Sequence, residues 1–106
     1  MTKPTPTARS VAHLRALHWT VGVVEQRIPN TNITRDLFGF IDLLAIRGDE
    51  TLAVQVTSGS NMAARERKIT EHENLAAVRA AGWRVHVHGW RKSAAGDWTL
   101  RVVDLS

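Results

Sequence analysis

Two apolar runs, Phe40 to Ile46 and Thr51 to Thr57, flank the tetrapeptide Arg47-Gly48-Asp49-Glu50, and no other feature constrains the chain as tightly. Gly48-Asp49 supplies turn chemistry between two β-prone segments, so this stretch is expected to fold as an antiparallel hairpin. Side chains alternate across a strand. Phe40, Asp42 and Leu44 therefore share one face of the first run, and Ala53, Gln55 and Thr57 share one face of the second. Asp42 becomes a carboxylate set among apolar neighbours, which is costly unless the group is paired, hydrogen-bonded or bound to a metal. A loop cap or an arginine such as Arg35 would satisfy it. So would a hard divalent cation, to which Asp42 offers a carboxylate oxygen, Gln55 an amide oxygen and Val56 a backbone carbonyl.

A chain of 106 residues has room for one core and one domain. Met1 to Thr7, with its two prolines, reads as a short flexible leader, and residues 8–106 as a single domain. Val11 and Leu14 stand at helical spacing, predicting a first helix over Ala8 to Leu17. Thr20 to Ile28 is rich in β-branched residues and stops at Pro29, predicting a strand; residues 29–34 then read as a loop. After the hairpin, Ser60 or Asn61 can cap a helix, and Thr70 with Glu73 has the form of a capping box that restarts it before Gly82. A bent or broken helix is expected there. Trp83 to Trp90 and Trp98 to Val103 alternate in period two and predict two closing strands. The resulting order, α-β-β-β-α-β-β, points to a mixed α/β sheet flanked by helices.

No apolar run approaches the ~20 residues of a membrane helix, so a membrane protein is not expected. No apolar segment follows the N-terminal leader, so a secretory signal is not expected either. The absence of cysteine excludes disulfides and thiolate zinc sites and suits a reducing, cytoplasmic setting. A net charge of +4, from 14 Lys and Arg against 10 Asp and Glu, fits a polyanion partner, although many small basic domains have none.

Asp42 at the head of IDLLAI, then a turn, then AVQVTSGSN and an arginine-rich helix, resembles the PD-(D/E)XK nuclease superfamily. The likeness is nearest to its Holliday-junction resolvase and phage endonuclease members. The resemblance implies a restriction-endonuclease-like fold with a central mixed sheet, Mg²⁺ or Mn²⁺ dependence, and hydrolysis of DNA phosphodiesters, duplex or branched. It places Asp42 at the family's aspartate, Gln55 at the second acidic ligand and Val56 at the spacer. Thr57 stands where the family has lysine, and a threonine cannot supply that positive charge. Ile41 replaces the proline. Resolvases also carry a glutamate on the first helix; here Glu25, on the expected first strand, is the nearest substitute.

Arg65, Lys68 and His72 recur at helical spacing, so Lys68 can stand in for the missing lysine if that face overlies the hairpin. Arg65, Arg67, Lys68 and Arg35 are the expected DNA contacts, against the alternative of a solvated basic face. Asp36 either lines the same cleft or forms a turn in its own loop. His86 and His88, even with His72, are read as sheet residues rather than a zinc site. Trp83, Trp90 and Trp98 are read as closing the core or an oligomer interface rather than stacking on bases. The expectation is therefore a metal-dependent endonuclease, homodimeric because so small a domain covers little duplex. Its rivals are a nuclease-derived DNA-binding module and a protein-association subunit.

Overall fold

The computed structural model describes residues 4–106. Met1 to Lys3 of the expected leader lie outside the described residues. Its last residues are already ordered, because Thr5 caps a helix α1 (Pro6–Ala16) by accepting the Ala8 N–H at 3.1 Å. Proline is well suited to that first helical position, where no intrahelical donor is needed. The helix thus begins two residues earlier than periodicity alone places it. It ends with His18 in the left-handed region (φ 70), which lets the Trp19 N–H reach the Leu14 carbonyl at 3.0 Å.

Among the described residues seven strands follow: β1 (Thr20–Val23), β2 (Gln26–Arg27), β3 (Thr34–Arg35), β4 (Leu43–Arg47), β5 (Glu50–Ser58), β6 (Arg84–Lys92) and β7 (Trp98–Asp104). Five form one sheet in the order β1-β4-β5-β6-β7. Only β5 and β6 run parallel, so the sheet is mixed. The crossover between them carries α2 (Met62–Thr70) and α3 (Leu75–Ala80). The expected hairpin is β4–β5, with Arg47 opposite Glu50 and Gly48 at φ 61. Glycine takes that first central position of a two-residue loop because it adopts a positive φ without penalty.

The sheet is covered on both faces. Leu14 of α1 packs with Trp19, Leu43, Ala45, Leu52 and Val54 on one side. On the other, Met62 and Ile69 of α2 and Leu75 and Val78 of α3 lie over Ala53, Val85 and Val87, joined by Phe40 and Ile41. Each of the larger aliphatic and Phe side chains here contributes about 1.5–3 kcal/mol through burial. Gly89 leaves room for this packing, since a Cβ there would run into the Met62 side chain.

Three expectations are corrected. The segment from Thr20 to Ile28 is not one strand: the Val24 N–H makes a last bond to the Asp42 carbonyl, and the chain then leaves the sheet. Gln26 and Arg27 pair instead with Arg35 and Thr34 in a separate ribbon, so part of the expected loop is strand. Second, the alternation assumed from Phe40 holds only from Asp42 onward. Leu37 bridges Ile41 across a tight turn, and Phe40 and Ile41 enter the same core. Third, the helix does break, but not at a Thr70–Glu73 box; Thr70 is the last residue of α2 and its Oγ1 donates to the Arg67 carbonyl at 3.2 Å. His72 Nδ1 accepts the Asn74 N–H at the break. No helix among the described residues is long and apolar enough to cross a membrane.

Candidate functional site

The β4–β5 register pairs Leu43 with Val54 and Leu44 with Ala53, and Asp42 comes just before the first of these pairs. The Asp42 N–H donates to the Val54 carbonyl at 2.9 Å, fixing the backbone just before β4 begins. Its Oδ2 accepts both the Val56 N–H at 2.8 Å and the Gln55 side-chain amide. Asp42, Gln55 and Thr57 are all buried, at 4%, 4% and 7% exposure. The buried carboxylate anticipated from alternation is therefore satisfied by its own hairpin. Arg35 does not pair with it; that residue is exposed on β3, with its backbone paired to Gln26.

Two further carboxylates close on Asp42. Glu25 sits in the link between β1 and β2, and not on a strand as anticipated, while Asp36 follows β3. One oxygen from each of Glu25, Asp36 and Asp42 lies within 4.8 Å of the other two. Asp36, which the sequence left between a cleft and a turn, lines the cleft. That cleft, of about 360 Å³, is walled by the three acids, Gln55, Val56 and Thr57, and from α2 by Arg65 and Lys68. Lys68 Nζ stands 3.3 Å from Asp36 Oδ2.

The electrostatics follow from this crowding. Burial pushes the Asp42 carboxyl from 3.8 up to about 7, opposed by the Val56 N–H and reinforced by the hydrogen bond and charge of Asp36 and by the charge of Glu25. Gln55 Oε1 is the one buried side-chain oxygen among the described residues left without a hydrogen-bond partner. Three carboxylates, an orphaned amide oxygen and no soft donor form a set suited to a hard divalent cation. Val56 also lines the cleft, with its N–H held by Asp42 Oδ2.

The other expected residues do not join them. Arg67 is exposed and outside the cleft lining. His72 falls beyond α2, so helical spacing no longer applies to it; its ring packs on Phe40 at 5.4 Å. His88 lies on the opposite face, where Nδ1 and Ser10 Oγ share a hydrogen bond of 2.9 Å, and His86 stands near Asp104. The three histidines do not converge among the described residues. No protein-family model, curated protein or solved structure matches the chain.

Proposed function

We propose that the chain is a divalent-metal-dependent endonuclease acting on duplex or branched DNA. One observation carries the reading: Glu25, Asp36 and Asp42, from three separate segments, bring their oxygens within 4.8 Å of one another beside the orphaned Gln55 Oε1. The mixed sheet flanked by helices is the kind of fold that the resemblance to PD-(D/E)XK nucleases implies. Asp42, Gln55 and the Val56 carbonyl are the expected ligands, and Glu25 and Asp36 extend the set. A bound Mg²⁺ or Mn²⁺ supplies Lewis-acid polarisation of a phosphodiester oxygen. Lys68 and Arg65 bring positive charge to the same cleft, where an incoming phosphate would otherwise meet three carboxylates. Lys68 takes the charge role that Thr57 lacks, since Thr57 faces the cleft without a cation. A homodimer would place two such clefts on the two strands of a duplex.

The departure at Thr57 supports a second reading, a DNA-binding module of the same fold with little or no catalysis. The two readings separate experimentally. Purified protein is incubated with duplex and four-way-junction DNA in Mn²⁺, and Mn²⁺ affinity is measured by calorimetry. The endonuclease reading expects cleavage and metal binding, both lost in Asp42→Ala. Salt-sensitive DNA binding that survives Asp42→Ala without any cleavage would establish the binding module instead.

A further inference from the structure

Across the end of β5 from the acidic cleft lies a second depression of about 330 Å³, lined by Ser58, Ser60, Trp90, Arg91, Lys92 and Trp98. Its aromatic floor is fixed from below. Trp90 Nε1 donates to Ser10 Oγ at 2.8 Å, and the Arg9 guanidinium covers one side of the Trp98 ring at 4.3 Å from its centroid. Trp98 nevertheless remains 40% exposed. An indole held in place with part of its surface open to solvent offers an apolar, flat contact to a ligand.

The charge around it is unbalanced. Among the described residues Arg9, Arg91 and Lys92 make no ion pair, and Arg9 Nε is buried without an acceptor. The neighbouring carboxylate, Asp97, belongs to the turn just before Trp98, where its backbone is tied to Ser93. A ligand that fits must offer anionic groups to several cations and a flat face to an indole. A nucleic-acid strand alternates those two features, and only an unstacked base can present its face to a tryptophan. Position selects the same ligand. Thr57 lines the acidic cleft and Ser58, the next residue, lines the groove; Thr7 lines the cleft and Arg9, two residues on, covers Trp98.

We propose that this groove binds an unpaired nucleotide of a strand that also enters the acidic cleft, with the base on Trp98 and phosphates on Arg91, Lys92 and Arg9. The proposal rests on the endonuclease reading for the identity of the strand. It makes an unpaired stretch, such as an overhang, gap or junction arm, the preferred substrate feature.

The test uses the full chain in EDTA, so that binding is read apart from cleavage. Fluorescence anisotropy compares a labelled single-stranded oligothymidylate of about eight nucleotides with a duplex of equal length. The single strand is expected to bind more tightly. Trp98→Ala should weaken it by about tenfold or more while leaving duplex affinity nearly unchanged, and Trp98→Phe should keep most of the binding. Lys92→Ala, at an exposed position, should lower the salt slope by about one. Equal affinity for single strand and duplex, equal loss on both, or an unchanged affinity in Trp98→Ala overturns the proposal. If Trp98→Ala fails to melt cooperatively, Trp98→Phe and Lys92→Ala decide it. Trp98-dependent single-strand binding by a protein that never cleaves in Mn²⁺ sinks the endonuclease reading and leaves the groove; cleavage with no Trp98 dependence does the reverse.

Discussion

Replacing Asp42 by asparagine separates the cost of the acidic cluster from its use. The amide keeps an oxygen to accept the Val56 N–H and the Gln55 amide, so the hairpin contacts persist while the charge goes. In the metal-free protein the Asp42 carboxyl is pushed from 3.8 up to about 7, first by burial and then by Asp36 and Glu25. A carboxyl whose pKa is higher folded than unfolded favours the native state most when protonated. Its contribution is complete below about pH 3.8 and is lost as the pH rises through about 7. A gap of that size corresponds to roughly 4 kcal/mol, the penalty that the metal-free native state carries above neutrality. Asp42→Asn is therefore expected to be more stable than the parent by roughly 2–4 kcal/mol at about pH 8 in EDTA, and nearly equal to it at about pH 4. Urea unfolding at both pH values measures the difference, with unchanged slopes certifying that only stability moved. Added Mn²⁺ at about a hundred times its dissociation constant should return about 2.7 kcal/mol to the parent and much less to the variant. A variant less stable than the parent at the higher pH, or a difference that does not vary with pH, would refute the account of a repulsive, cation-ready cluster.

The buried His88 should make the fold acid-sensitive. Burial, then the neighbouring His13 and His86, lower its pKa from 6.5 to about 4, so its contribution is complete above about pH 6.5 and is lost as the pH falls through about 4. The loss approaches roughly 3 kcal/mol, and urea midpoints of His88→Gln should lack that part of the acid dependence. Thr57→Lys restores a cation to the residue that faces the cleft from β5. Mn²⁺-dependent cleavage should rise by about tenfold or more, the aliphatic stem lying along the strand and the ammonium reaching the open cleft. A steady rate with intact folding would place the positive charge of this site on α2 alone.

The legible part of this molecule is its local periodicity. The β4–β5 hairpin, the two closing strands and the broken crossover helix could all be read because each rests on a repeat of two or of about 3.6 residues reinforced by turn chemistry. The juxtaposition of Asp42 and Gln55 was legible for the same reason, since a two-residue loop fixes register and register fixes which side chains face each other. Where the pattern was followed past its support it failed. Phe40 and Ile41 precede the regular strand, so alternation assigned them to opposite faces while the turn at Leu37 sends both into one core. His72 was grouped with Arg65 and Lys68 by helical spacing, yet the helix stops at Thr70 and the spacing stops with it.

Glu25 and Asp36 show a different limit. Both are positioned by the ribbon of β2 and β3, two strands of two residues each, too short for any periodicity to register. Its pairing of Gln26 with Arg35 brings the residues just outside it, Glu25 and Asp36, side by side at the open end of the ribbon. The Val24 N–H on the Asp42 carbonyl then anchors that end against β4. The cluster is thus closed by two contacts, neither carried by the sequence separation of the acids themselves. A chain can advertise one ligand through the strand that buries it and leave the others as bare candidates, as Glu25 on an expected strand and Asp36 ahead of Asp42 were, when a short ribbon conceals how they come together. Here the concealed segment supplies two of the three carboxylates, so substitutions in the ribbon bear on the site as directly as substitutions in the hairpin.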